Sequence, residues 1–170
     1  MSEPRARKTG SKPIESITFD EIDQRILDML QQDSDTSIQT ISEAVGLSTN
    51  PCWRRIKRME EAGLIKKRVV LVDQTRANVP LTLFIGLSTS RHEIAWLNRF
   101  RELIDELPEV VEAYRLTGTV DYILKVVVPD MASYDAVYKT MIQRLEFSQV
   151  NSMISMEELK FTTAIPTNYL

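Results

Sequence analysis

The chain of 170 residues is 43% apolar and 26% charged with a net charge of −3, a globular composition with room for one large domain or two small ones. That excludes wholesale disorder, a fibrous repeat and a disulfide scaffold. The longest apolar stretches, 80–87 and 123–128, fall far short of the roughly 20 residues that span a bilayer. No apolar core follows the charged N-terminal residues Arg5, Arg7, Lys8 and Lys12, so a cytoplasmic protein without a secretory signal is expected. One cysteine, Cys52, and one histidine, His92, leave no internal disulfide, no thiolate metal site and few other metal arrangements. Neither a metal nor a cofactor is expected.

The modest net charge hides a local asymmetry. Residues 1–47 hold five Lys/Arg against nine Asp/Glu, and residues 69–170 hold nine against thirteen. Residues 48–68 reverse the balance, with seven Lys/Arg against Glu60 and Glu61. An acidic chain with one concentrated basic segment points to a focused anion-binding face.

Residues 1–16 carry Pro, Lys, Arg and Ser without an apolar period and read as a disordered tail. From Thr18 the pattern is helical. Thr18 and Glu21 have capping-box spacing, and Ile22, Ile26, Met29 and Leu30 recur at helical intervals to about Gln32. Ser37 is the expected cap of a second helix with Ile38, Ile41, Ala44 and Val45 inward, and Gly46 supplies the positive φ of a tight exit. Ser48 is the expected cap of a third, with Pro51 in its first turn. At about 100° per residue, Cys52, Ile56, Met59 and Gly63 share one face. Asn50, Arg54 and Lys57 therefore point outward, flanked by Trp53 and Arg58. Two short helices joined through Val45-Gly46-Leu47-Ser48, the second basic on its exposed face, fit a helix-turn-helix whose second helix enters the major groove. Its N-terminal turn, with Ser48 and Thr49, then reaches base edges. The run Lys66, Lys67, Arg68 and a β-branched segment over 69–72 read as a strand and wing beside the phosphate backbone. Cys52, on the inward face, reads as a small core residue rather than a redox-sensing thiol.

From Pro80 strand and helix alternate. A strand over 81–87 precedes a helix spaced by Ile94, Leu97, Phe100, Ile104 and Leu107 that ends before Pro108, with His92 a solvated residue near its start. Strands over 110–116 and 122–128 flank the turn Thr117-Gly118-Thr119. A second helix follows Pro129 with Met131, Tyr134, Val137, Tyr138, Met141, Ile142 and Leu145 as its apolar stripe, and a long final strand covers 150–165. This β-α-β-β-α-β order is the ferredoxin-like unit. Its sheet has helices on one face only, and a partner subunit is the simplest cover for the other. The expected fold is α+β: a disordered tail (1–16), a winged helix-turn-helix domain (17–68), a linker strand (69–79) and a ferredoxin-like ligand-binding and oligomerisation domain (80–170).

From about Ile17 to Pro166 the chain resembles the Lrp/AsnC (feast/famine) family of transcription regulators. The residues that carry the resemblance are Asp20-Glu21-Ile22-Asp23 with Ile26-Leu27, the turn Val45-Gly46-Leu47-Ser48, and Pro51-Cys52-Trp53-Arg54-Arg55-Ile56-Lys57-Arg58-Met59-Glu60 followed by Gly63-Leu64-Ile65. Thr117-Gly118-Thr119-Val120-Asp121-Tyr122 completes the set. Pro51-Cys52-Trp53 looks most like the branch that responds to cysteine. The resemblance implies regulation of amino acid metabolism, an N-terminal unit that reads a pseudo-palindromic double-stranded operator, and C-terminal domains that pair into homodimers and assemble to octamers. It also implies a small amino acid effector near the Gly-x-x-Asp-Tyr turn, hence at Gly118, Thr119, Asp121 and Tyr122. Backbone N–H groups and the Asp121 carboxylate there suit the two ends of a zwitterion. The expected DNA-contacting residues are Ser48, Thr49, Asn50, Trp53, Arg54, Lys57, Arg58, Lys66 and Lys67. Enzymes that decarboxylate sirohaem derivatives look like this family in fold, and a ligand-binding assembly subunit without DNA binding is a further alternative. The first needs tetrapyrrole-handling histidines, and the second has no use for seven cations over 48–68, so no catalytic residue is expected.

Overall fold

The computed structural model describes residues 18–170, so the tail expected over 1–16 lies outside the described residues. The chain folds into two compact units, one ending at Val70 but regaining Phe161–Leu170, the other Leu71–Lys160. The sequence-based division differs at its end, since it left 161–170 with the ligand-binding domain.

The first unit holds α1 (Glu21–Gln32), α2 (Ile38–Val45) and α3 (Thr49–Glu61). Ile26, Leu27, Ile41, Val45, Cys52, Ile56 and Met59 form its core. The cap of α1 is Asp20 rather than the expected Thr18. Asp20 Oδ1 accepts from the Asp23 N–H at 3.0 Å and Asp23 Oδ2 from the Asp20 N–H at 3.1 Å, a reciprocal box made by two carboxylates. Ser37 caps α2 as expected, its Oγ accepting from the Thr40 N–H at 3.1 Å. Gly46 closes α2 at φ 73°, a backbone region open to glycine at no steric cost. Ala44, expected inward, is exposed and Ser42 is buried in its stead, its hydroxyl satisfied by the Gln39 carbonyl at 2.9 Å.

Asp23 has no exposed side-chain surface and takes ion pairs from two α3 residues, Arg55 Nη1 at 2.9 Å and Arg58 Nη2. Arg55 also reaches Asp20 Oδ2 at 2.8 Å. Both arginines retain water contact while Asp23 is fully withdrawn from it, so the guanidinium hydrogen bonds offset the desolvation of one carboxylate. The residues of 161–170 dock on α1. Gln31 donates from Nε2 to the Ile165 carbonyl at 3.1 Å and accepts the Ile165 N–H at 2.8 Å, while the Thr167 hydroxyl donates to Asp28 Oδ1 at 2.7 Å. This docking replaces the outer half of the long strand expected over 150–165. Residues 69–72 form no strand either, because they meet no partner ladder among the described residues, and Val70 and Val72 are largely exposed.

The second unit holds β1 (Leu81–Ser88), α4 (Ile94–Glu106), β2 (Val110–Arg115), β3 (Tyr122–Val128), α5 (Met131–Arg144) and β4 (Gln149–Ile154). The sheet order β2-β3-β1-β4 is antiparallel throughout, the expected ferredoxin-like arrangement. Leu83, Ile85 and Leu87 of β1 and Leu124, Val126 and Val128 of β3 face the two helices. The expected helical faces hold for the most part, with Phe100, Tyr134, Val137, Met141 and Leu145 in the core and Leu97, Ile104, Leu107 and Tyr138 packed against it. Trp96 and Leu103, with Phe100, are buried on α4 while Ile94 is exposed, and Met131 and Ile142 of α5 are half-exposed. Ile94 is the first residue of its helix and Met131 of its own, where the apolar period has no preceding turn to cover. The opposite sheet face carries Tyr114 paired with Ile123, and Lys125 paired with Phe84, itself paired with Met153. Tyr114, Phe84 and Met153 are exposed there.

Replacement of Asp23 by Ala removes the acceptor of two charged hydrogen bonds, and a loss of about 2–4 kcal/mol in urea unfolding is expected. Asp20→Ala removes a cap and costs about 1 kcal/mol. Backbone donation from Asp23, with Arg55 adding to it, lowers the Asp20 pKa against a smaller opposing effect of burial. Because the folded value is the lower one, the contribution of Asp20 is complete above about pH 4 and is lost as pH falls through the folded value. An Asp20→Ala protein therefore shows a shallower decline of stability below that pH.

Candidate DNA interface and effector turn

Three buried side chains, Cys52, Ile56 and Met59, orient α3 on the core. Ser48, Thr49, Asn50, Arg54 and Lys57 are exposed on the other side, as is Trp53 at 54%. Ser48 occupies the cap position, but its exposed side chain makes no capping hydrogen bond. The expected contact residues divide by what already holds them. Among the described residues Arg54, Lys66 and Lys67 have no ion-pair partner, and Lys57 has only Glu60 at 3.6 Å. Arg58 is committed to Asp23 and lies 5.8 Å from the centre of the Phe19 ring. Arg68 donates to the Ser34 carbonyl at 3.1 Å, tying the chain after α3 to the loop between α1 and α2.

Sequence reasoning gave no role to Arg55. Its signal was present in the pairing of Asp20 and Asp23 on one helix with Arg55 and Arg58, three apart, on another. Hydrogen bonding to Asp23 and then Asp20 raises the Arg55 pKa further above its ordinary value.

The second cluster is the turn between β2 and β3. Gly118 has φ 130°, a conformation that a side chain would strain. The Leu116 N–H donates to the Asp121 carbonyl at 2.8 Å and the Asp121 N–H to the Leu87 carbonyl at 2.9 Å. Asp121 Oδ2 accepts the Thr89 N–H at 2.8 Å, so one carboxylate oxygen orders the chain after β1. Gly118 and Thr119 are exposed. The Tyr122 ring does not join them: it packs in the core, its centre 4.8 Å from Phe100 and 5.7 Å from Trp96. Thr89 was not anticipated, since its part is played by a backbone N–H that no residue type announces.

Cys52 has no exposed surface, and burial raises its pKa despite the nearby Arg55 charge. A thiolate is thereby disfavoured. Native protein treated with a thiol reagent near pH 8 should react only as it unfolds, and the rate should rise to that of a free thiol in concentrated urea.

Residues 82–165 match the Lrp/AsnC ligand binding domain family, and residues 19–66 match a winged helix-turn-helix DNA-binding family. A glutamate uptake regulatory protein of Zymomonas mobilis is 42% identical over 148 residues, 87% of this chain and 90% of its own. The DNA-binding transcriptional activator DecR of Escherichia coli is 40% identical over 149 residues, 87% of this chain and 98% of its own. An AsnC family transcriptional regulator from Agrobacterium tumefaciens superposes with a TM-score of 0.86 at 49% identity, covering 89% of this chain and 99% of its own. A transcriptional regulator of Neisseria meningitidis, crystallised with L-Met, superposes with a TM-score of 0.85 at 31% identity over the same shares. Among the described residues no helix is long and apolar enough to cross a membrane. With a DNA-binding domain and a ligand-binding domain in this order, and regulators rather than enzymes as its relatives, the chain belongs to the Lrp/AsnC family of transcription regulators.

Proposed function

We propose that this regulator reads DNA through α3 as a two-fold dimer in the cytoplasm, and that a free amino acid at the turn over 118–122 sets its affinity or assembly. The observation that carries the DNA reading is the exposed stripe of Asn50, Arg54 and Lys57 opposite the buried Cys52, Ile56 and Met59. Arg54, without a carboxylate partner among the described residues, supplies a two-pronged donor suited to guanine, and Asn50 one suited to adenine. Ser48, Thr49 and Trp53 flank these, and Lys66 and Lys67 supply phosphate contacts. Arg58 contributes by fixing α3 to Asp23, with the exposed part of its guanidinium near the backbone. The exposed Phe84, Tyr114 and Met153 on the helix-free sheet face support pairing of two such sheets, and further assembly, as octamers, brings turns of neighbouring dimers together.

At the turn the exposed backbone of Gly118 and Thr119 faces the ligand carboxylate and Asp121 Oδ1 its ammonium, while Tyr122 anchors the start of β3. The L-Met bound to the Neisseria regulator supports an amino acid as effector, and the Pro51-Cys52-Trp53 resemblance favours cysteine or another sulfur-containing one.

Arg54→Ala should cost about 1–3 kcal/mol of operator binding and relax preference at one position. Lys66→Ala or Lys67→Ala should weaken all sequences alike and lower the salt slope by about one. Footprinting should show half-sites about 10–10.5 base pairs apart, or a multiple of that. Unchanged binding in both kinds of variant would refute the assignment of α3. For the effector, Asp121→Asn keeps an acceptor for Thr89 and removes the charge. Titration calorimetry with L-cysteine should lose its signal in that variant while operator binding without ligand persists, and an unaltered affinity would move the site elsewhere.

A further inference from the structure

The first unit also contains a cleft of about 320 Å³ where α1, α2 and α3 meet, a size at the lower end of small-ligand sites. Its floor is Leu30, Ile38, Ile41 and Ile56, and the half-exposed Trp53 ring forms a wall. The rim is charged. Glu60 lies between two cations, with Oε2 at 3.6 Å from Lys57 Nζ and Oε1 at 3.6 Å from Arg68 Nη2. Neither separation is a hydrogen bond, so all three groups keep unfilled donor or acceptor capacity beside an apolar cavity.

The alternatives fit less well. A DNA phosphate gains from Lys57 and Arg68 but, unlike a zwitterion, carries no cation of its own to offset the like charge of Glu60. A metal ion needs more than one carboxylate, and a wholly apolar ligand leaves the rim idle.

We infer that this cleft binds a free α-amino acid with a large apolar side chain. The carboxylate bridges Lys57 and Arg68, the ammonium takes Glu60, and the side chain lies on the isoleucine floor against Trp53. This is a different place from the turn over 118–122, and its occupation does not depend on that assignment. Because Trp53 and Lys57 also belong to the proposed DNA face, ligand and DNA exclude one another at α3, a consequence that does rest on that reading.

The chain has two tryptophans, Trp53 and Trp96. Trp96 is buried in the other unit, so emission that changes on binding and is lost in Trp53→Phe reports the cleft. The probes are L-phenylalanine and L-leucine with the full-length protein, beside 3-phenylpropionate, which lacks the ammonium, and 2-phenylethylamine, which lacks the carboxylate. L-Leucine, which does not absorb at the excitation wavelength, should change the emission of the parent but not of Trp53→Phe. Calorimetry should show Glu60→Gln, and each truncated probe, binding L-phenylalanine or itself at least about tenfold more weakly, the loss of one charge-assisted contact. The emission change that depends on Trp53 should persist in Asp121→Asn, since Trp53 lines the cleft and Asp121 does not. At roughly nine times its dissociation constant the ligand should raise the apparent Kd for DNA about tenfold, as mutual exclusion requires. Absence of heat and emission change at millimolar probe overturns the inference. Binding that survives Glu60→Gln but is abolished by Asp121→Asn also overturns it while upholding the effector turn. Binding at the cleft with unchanged DNA affinity overturns the exclusion at α3.

Discussion

The position of α3 depends on a carboxylate that sees no water. Asp23 sits on the first helix of the domain and holds Arg55 and Arg58 of the third, so the angle at which the basic helix is presented is set from its rear. Apolar contacts through Cys52, Ile56 and Met59 supply cohesion and decide which face of α3 turns inward, but apolar packing is non-directional and leaves the tilt of α3 against α1 less closely specified. A planar guanidinium held by two carboxylates of the neighbouring helix does specify it. The same Asp23 closes the cap of its own helix, so initiation of α1 and placement of α3 share one side chain.

Seven cations over 48–68 look like a single basic surface in the sequence, yet in the structure they serve two purposes. Arg55, Arg58 and Arg68 are turned toward carboxylates or a carbonyl of their own unit. Arg54, Lys66 and Lys67 have no ion-pair partner among the described residues. Lys57 lies between the two groups, with Glu60 at 3.6 Å, so three of the seven cations stiffen the platform and counting all seven overstates the number of available phosphate contacts.

The order of elements, the inward face of α3, the cap at Ser37 and the left-handed exit at Gly46 were legible because each follows from residue types within a few positions. What was not legible depended on distant partners. Residues 69–72 and the far part of 150–165 have strand-forming composition, but a strand exists only where another offers a ladder, and none does among the described residues. Most of the apolar stripe of α4 and of α5 was legible too, and Ile94 and Met131 fell outside the cover because they begin their helices. Asp121 was recognised as special from its motif, whereas its bond to the Thr89 N–H required the fold. Tyr122 shared that motif but turned out to be an anchor in an aromatic core.

The docking of Ile165 and Thr167 on Gln31 and Asp28 makes the DNA-reading unit discontinuous in the gene. In regulators assembled from exchangeable parts, a graft that stops after Val70 would carry three helices whose first has two polar side chains shaped for an absent strand of chain. The ligand unit is thus an insertion between two pieces of its neighbour, and a chimera that swaps effector specificity has to replace 71–160 internally rather than join one domain to the end of another.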